Sequence, residues 1–250
     1  MHKKEGVIRQ PDLFLENDPE LKRKSEKVNF RVSILGGKSG EQDADELGYE
    51  LTKDFFSIQT GGYNRGAMKS GLEGADRALK EMKEDAQTKR ILGHICPTPK
   101  GIGMERISPD EVFKGEHTHS ELLGGGVMDH YLRLGKLIEE SSANIVLAGG
   151  TGTEVEFLAD FRFNKQMYKK QVEGFSHKPL IFVGDHHDSI LKDKFGSEIN
   201  KSDFVYKTDT AKEAVELVKV LELLENTEEE LKDDELERLK EFKRSHLLRI

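Results

Sequence analysis

Three short apolar runs in this chain stop at paired glycines, Gly36-Gly37, Gly61-Gly62 and Gly149-Gly150, and each is followed by a stretch with helical spacing. Few architectures suit such a chain. Strands that alternate with helices build a parallel sheet covered on both faces. In open sheets of that kind, ligands sit in the turns at the carboxyl ends of the strands. Three glycine turns following three strands therefore point to one shared crevice.

The rest of the chain fits the same alternation. Phe30-Arg-Val-Ser-Ile-Leu35 reads as the first strand, followed by a helix around Asp45 to Asp54. A short strand ending at Thr60, a helix through about Lys83 and a strand from Arg90 to Cys96, stopped by Pro97 and Pro99, come next. After a long loop from Pro97 to Gly126 the pattern gives a helix Met128–Glu140, a strand Asn144–Leu147 and a helix from Thr153 to about Lys170. Strands Leu180–Val183 and Phe204–Lys207 and a helix Ala211–Leu224 complete the series. The fold class expected is α/β, a Rossmann-like open parallel sheet with helices on both faces. Residues 1–28, charged and aperiodic, read as an N-terminal arm, 29–225 as the nucleotide-binding domain and 226–250 as a C-terminal amphipathic helix.

Composition narrows the partners. The chain of 250 residues carries a net charge of -8, and an acidic chain lacks the basic face that a nucleic-acid binder needs. No apolar run approaches the roughly 20 residues that span a bilayer, so no membrane partner is expected. A single cysteine, Cys96, rules out an internal disulfide framework and fits a reducing compartment. With no apolar signal-peptide core in MHKKEGVIRQ, the expected location is the cytoplasm.

The glycine turn richest in chemistry is Gly149-Gly150-Thr151-Gly152-Thr153. Glycines let backbone amides approach an anion, Thr151 and Thr153 add hydroxyls, and the next helix aims its positive end at the same point. That is a phosphate cradle. It has neither the GxxxxGK[ST] spacing of a P-loop nor the GxGxxG dinucleotide fingerprint. Within the following helix, Glu156 admits a purely local role, because Thr153 as N-cap with Glu156 three residues later would form a capping box. His186-His187 could suggest a metal, but adjacent strand residues face opposite ways; His117 and His119 could face one way if extended, but their loop has no assigned place, and both segments read more simply as solvated loops. No metal site is expected.

Gly149-Gly150-Thr151-Gly152-Thr153-Glu154-Val155-Glu156 resembles the PGGxGTxxE signature of the Lonely Guy family, formerly labelled possible lysine decarboxylases. Val32-Ser-Ile-Leu-Gly36-Gly37-Lys38-Ser39-Gly40 is similar to that family's first strand and loop, and Thr60-Gly61-Gly62-Tyr63-Asn-Arg-Gly66-Ala-Met68 to its second. Arg133 lies fifteen residues before Ala148, where the family's active-site arginine belongs. The resemblance runs from about Val32 to Val183. It implies cleavage of the N-glycosidic bond of a nucleoside 5'-monophosphate, giving free base and ribose 5-phosphate, with no cofactor. Arg133 and Glu156 are the implied catalytic pair, the glycine turns with Ser39 the implied nucleotide-binding residues, and a homodimer or higher homo-oligomer the implied assembly. The chain departs from the pattern at Ala148, Leu134 and Tyr63, so cytokinin precursors are not implied as substrates. Two other readings stay open: a nucleotide sensor or cofactor carrier of the same superfamily, in which Glu156 only caps its helix, and a scaffold that assembles through its two ends.

Overall fold

The structure, a computed structural model, describes residues 27–84, 90–95, 112–122, 127–169, 177–227, 229 and 231–249. Most of the expected N-terminal arm, Cys96 and much of the Pro97–Gly126 loop lie outside these residues. Among the described residues one sheet is formed by β1 Arg31–Leu35, β2 Ser57–Thr60, β3 Ile91–Ile95, β4 Thr118–Leu122, β5 Ala143–Val146, β6 Leu180–Val183 and β7 Val205–Thr208. Every pairing is parallel, and the order is β4-β3-β2-β1-β5-β6-β7. The helices are α1 Glu41–Lys53, α2 Gly66–Met82, α3 Val127–Glu139, α4 Thr151–Lys169, α5 Asp188–Phe195, α6 Ala211–Thr227 and α7 Asp233–Ser245. This is the expected Rossmann-like α/β fold.

Alternation along the central strands builds two cores. Val32 and Ile34 of β1, Ile145 of β5 and Ile181 and Val183 of β6 face one side, where α1, α2 and α6 bring Leu47, Leu72 and Leu217. Leu35, Val146, Leu180 and Phe182 face the other, against Leu137 of α3, Phe157 and Phe161 of α4 and Leu191 and Phe195 of α5. Strands β5 and β6 are buried along their whole length; β6 reads in the sequence as an unbroken apolar run, and β5 as one interrupted only by Asn144. Each such Leu, Ile or Phe contributes about 1.5–3 kcal/mol by leaving water. Strand order reverses between β1 and β5. Right-handed crossovers then send α1 and α2 to one face and α4 and α5 to the other.

Three expectations needed adjustment. Helix α1 begins at Glu41, not near Asp45, because Gly40 breaks the preceding turn and Glu41 and Asp43 favour a helix start. The long loop contains β4, whose sequence Thr-His-Ser-Glu-Leu has no apolar run; as an edge strand bonded only to β3 it needs none. The C-terminal segment does more than supply a helix. Helix α7 buries no residue, but Phe242 and Leu247 pack on the core and the tail beyond α7 pairs antiparallel with β7. The Lys207 amide donates to the His246 carbonyl at 2.8 Å, and the Leu248 amide to the Val205 carbonyl at 2.9 Å. The tail thus covers a strand edge that would otherwise present unpaired backbone groups.

Leu248 is buried in the second core. Leu248→Ala should lower unfolding stability by about 2–4 kcal/mol in urea titrations. A change within about 0.5 kcal/mol, as for an exposed position, would mean that the tail does not dock.

Candidate functional site

The reversal of strand order puts the loops after β1 and β5 side by side. The Gly37 amide donates to the Ala148 carbonyl at 3.0 Å, and a Cβ on Gly37 would stand 2.9 Å from the Gly149 Cα. Backbones can approach this closely only because both residues are glycine. Gly36 serves packing instead, since its Cβ would meet that of Ala67 at 2.9 Å. Helix α4 starts at Thr151, two residues earlier than expected, and the Glu154 amide makes an intrahelical bond to the Gly150 carbonyl at 3.1 Å. The amides of Thr151, Gly152 and Thr153 precede that bond and belong to the group that no helix satisfies internally. Gly150, Thr151 and Gly152 are exposed, and a Cβ on either glycine would meet no atom within 4 Å.

Thr153 corrects the capping-box reading. It lies inside the first turn, buried, with its hydroxyl against Gly149. It shapes the loop from beneath, and Glu156 makes no capping bond. Instead the Glu156 Oε1 accepts from the Arg133 Nη1 at 3.2 Å, with side-chain exposures of 15% and 12%. The two residues that the sequence set on separate helices therefore meet. Arg133 lies over the Tyr63 ring, 5.3 Å from its centroid, and its Nη2 reaches the Met68 Sδ at 3.7 Å. Arg65 lies 5.2 Å from the same ring. Gly61 makes room for the guanidinium, because a Cβ there would stand 2.0 Å from Nη2. Burial pushes the Glu156 carboxyl above the usual range, while the Arg133 charge and hydrogen bond pull the other way. The remaining predicted residues play smaller parts in this geometry. Ser39 is exposed on the short turn Lys38–Gly40, and Gly62 faces Gly93 on the β3 side.

A buried polar network under the pair holds both helices in place. One turn past Arg133, the Leu137 carbonyl accepts from the Ser33 hydroxyl and from the Gln59 Nε2, each at 2.9 Å. The Lys178 ammonium and the Ser141 hydroxyl donate to the Ile138 carbonyl at 2.7 and 3.0 Å, and Lys178 also donates to the Glu139 carbonyl. The C-terminal carbonyls of α3 are thus satisfied by the sheet and by a cation suited to that end of the dipole. One turn past Glu156, Asp160 accepts from Asn144 at 2.8 Å and from Asn164 at 3.0 Å. Sequence reasoning did not identify these residues. The available signal was a polar side chain inside each apolar strand: Ser33, Gln59 and Asn144.

The histidines divide. His187, 2% exposed, is not in a solvated loop as expected: its Nε2 contacts the Leu147 carbonyl at 3.0 Å and its ring packs edge-on against Phe157. Burial holds its pKa down. His186 is exposed, and its Nε2 contacts the Gly149 carbonyl at 2.8 Å. His117 is buried, and its Nδ1 faces the Asp76 Oδ1 at 3.1 Å, whereas His119 on β4 is exposed. Among the described residues no cluster of three or more His, Cys, Asp or Glu could hold a metal ion, and no helix is long and apolar enough to cross a membrane.

No protein-family model matches the chain, and no curated protein matches it in sequence. Solved structures resemble it, and the first of the following shares its fold. The molybdenum cofactor binding protein from the phototrophic bacterium Rippkaea orientalis is 18% identical, with a TM-score of 0.52 over 77% of this chain and 97% of that one. The molybdenum cofactor carrier protein from Chlamydomonas reinhardtii is 19% identical, with a TM-score of 0.47 over 77% of this chain and 98% of that one.

Asp160 gives the site a pH signature. Burial pushes its carboxyl from 3.8 up to about 7, against the opposing effects of Asn144 and Lys178. An acid that holds its proton more tightly when folded stabilises the fold most below its unfolded pKa, and that contribution declines as pH rises toward the folded one. Between pH 5 and 8, Asp160→Asn should remove roughly 2–3 kcal/mol of the decline in stability measured by urea denaturation. Equal pH slopes in the two proteins would exclude Asp160 as the source.

Proposed function

We propose that this chain binds a nucleoside 5'-monophosphate across the β1/β5 switch point and hydrolyses its N-glycosidic bond. The observation that carries this reading is the Arg133–Glu156 pair, nearly buried and set beside an exposed glycine loop at the start of α4. Glu156 lies five residues into α4, about 7.5 Å along its axis at 1.5 Å per residue. That span is of the order of the distance from a nucleotide's phosphate to its anomeric carbon. The phosphate would take the Thr151, Gly152 and Thr153 amides and the positive end of α4.

Its chemistry follows from the pair. As the C1'–N bond breaks, its electrons pass to the base and the ribose gains oxocarbenium character, which a fixed carboxylate stabilises. Arg133 occupies Oε1, leaving Oε2 free to accept a proton from a water attacking C1'. That proton then passes to the departing base nitrogen, and the products are the free base and ribose 5-phosphate. Burial that raises the carboxyl pKa makes Glu156 a stronger base. Phosphate binding far from the reacting carbon supplies energy for orientation.

A second reading, nucleotide or cofactor carriage without chemistry, is favoured by the fold shared with the Rippkaea orientalis molybdenum cofactor binding protein. For assembly we propose a homodimer. Tyr131 and Leu132 of α3 and Val155 of α4 are large apolar side chains at least half exposed, and they flank the Arg133–Glu156 pair.

Release of base and ribose 5-phosphate from AMP, GMP, IMP, CMP and UMP tests the reaction. Glu156→Gln should cut release by about 100- to 10,000-fold while nucleotide binding persists; binding by the native protein without release from any of the five would leave the carrier reading. In size-exclusion chromatography with light scattering, the native chain should run at twice its 28.3 kDa and Leu132→Asp at the monomer mass. A native monomer would sink the dimer.

A further inference from the structure

The loop after β6 reaches the glycine loop after β5 through two adjacent histidines, and their bonds assign the protons. Both Nε2 atoms face carbonyl oxygens, that of Gly149 for His186 and that of Leu147 for His187. A carbonyl only accepts, so each Nε2 must carry the hydrogen and each neutral ring keeps its lone pair on Nδ1. The two rings then differ in what they can do next. His187 is buried and packed against Phe157 and Phe182, with a buried Nδ1 that makes no hydrogen bond among the described residues. Taking up a proton there would put an unmatched charge in the core, so His187 is a neutral strut. His186 is exposed and can take a proton on Nδ1 without giving up its bond to Gly149.

We propose that His186 is a further anion-binding residue of this site, one that adds a positive charge beside the Gly149–Thr153 loop when protonated and so favours a dianionic phosphate monoester. The inference rests on the reading of that loop as a phosphate cradle. The charges around the histidine pair are Glu154 in the first turn of α4, Asp185 on the same loop, Asp188 at the start of α5, and Lys207 of β7, which pairs with both aspartates. Lys207 engages Asp185 and Asp188, and Glu154 is the carboxylate near the pair that opposes an incoming anion, which the cradle amides and a protonated His186 would attract. By linkage, a bound dianion and the proton on His186 each strengthen the other's binding.

Inorganic sulfate is the probe, because it stays doubly charged from pH 5.5 to 8, whereas a phosphate monoester titrates near pH 6. Sulfate affinity of the full chain, measured by calorimetry, should be roughly threefold to tenfold higher at pH 5.5 than at pH 7.5, as fits one added, partly screened charge beside the loop. His186→Gln, which keeps an N–H donor for the Gly149 carbonyl but has no second ring nitrogen to take a proton, should bind sulfate with the same affinity from pH 7.5 down to 5.5. Sulfate bound by both proteins with the same pH profile overturns the role of His186 and leaves the cradle standing. Sulfate bound by neither protein at any pH overturns the cradle, and this inference with it.

Discussion

Everything at the site depends on the backbone contact between the loops that leave β1 and β5. Where the strand order reverses, the two loops have no crossover helix between them, and the Gly37 amide bonds directly to the Ala148 carbonyl. A side chain at Gly37 or Gly149 would force the loops apart. Gly150, Thr151 and Gly152 are exposed at the start of α4, where the helix leaves its first amides without internal partners. The same contact fixes the start of α4, and with it the side of the crevice on which Glu156 stands.

Arg133 reaches that place by a different route. It projects from α3, whose C-terminal carbonyls are held by Ser33, Gln59, Ser141 and Lys178. Removing one partner from such a network leaves a buried carbonyl or charge uncompensated, which typically costs more than the bond itself contributes. Tyr63 and Met68 complete the seat by lining one side of the guanidinium. In the second helix, Asp160 with its two asparagines occupies the position one turn below Glu156. The pair is thus held by polar groups spread over β1, β2, β5 and the residues leading into β6.

Much of the fold was legible because its strands are apolar and its turns are glycines. Strand Leu180–Val183 falls where its apolar run placed it, and the helix read as Met128–Glu140 is displaced by a single residue. Strand β4 was hidden because an edge strand can be polar, and the docking of the tail because a three-residue bridge to β7 has no periodicity to detect. At the site, the residues singled out from the glycine turns and from the family resemblance include the pair that meets, Arg133 and Glu156. The local capping rule misassigned Thr153 and Glu156, since it took Thr153 for the first cap when the helix begins at Thr151. His187 was misjudged as solvated for a related reason: its burial comes from Phe157 and Phe182, which belong to other elements.

The sequence by itself determined the parallel α/β architecture, the glycine turns at the strand ends and the residue types available for an anion and a carboxylate-guanidinium pair. Hydrophobic periodicity and glycine placement are local properties, so they can be read without knowing what lies nearby. Only the tertiary structure decided which partners meet: Glu156 with Arg133 across 23 positions, Gln59 with Leu137 across 78, and His186 with Gly149 across 37. Those encounters follow from strand order and helix packing, and through them burial and neighbouring charge set the proton affinities of Glu156, Asp160 and His187.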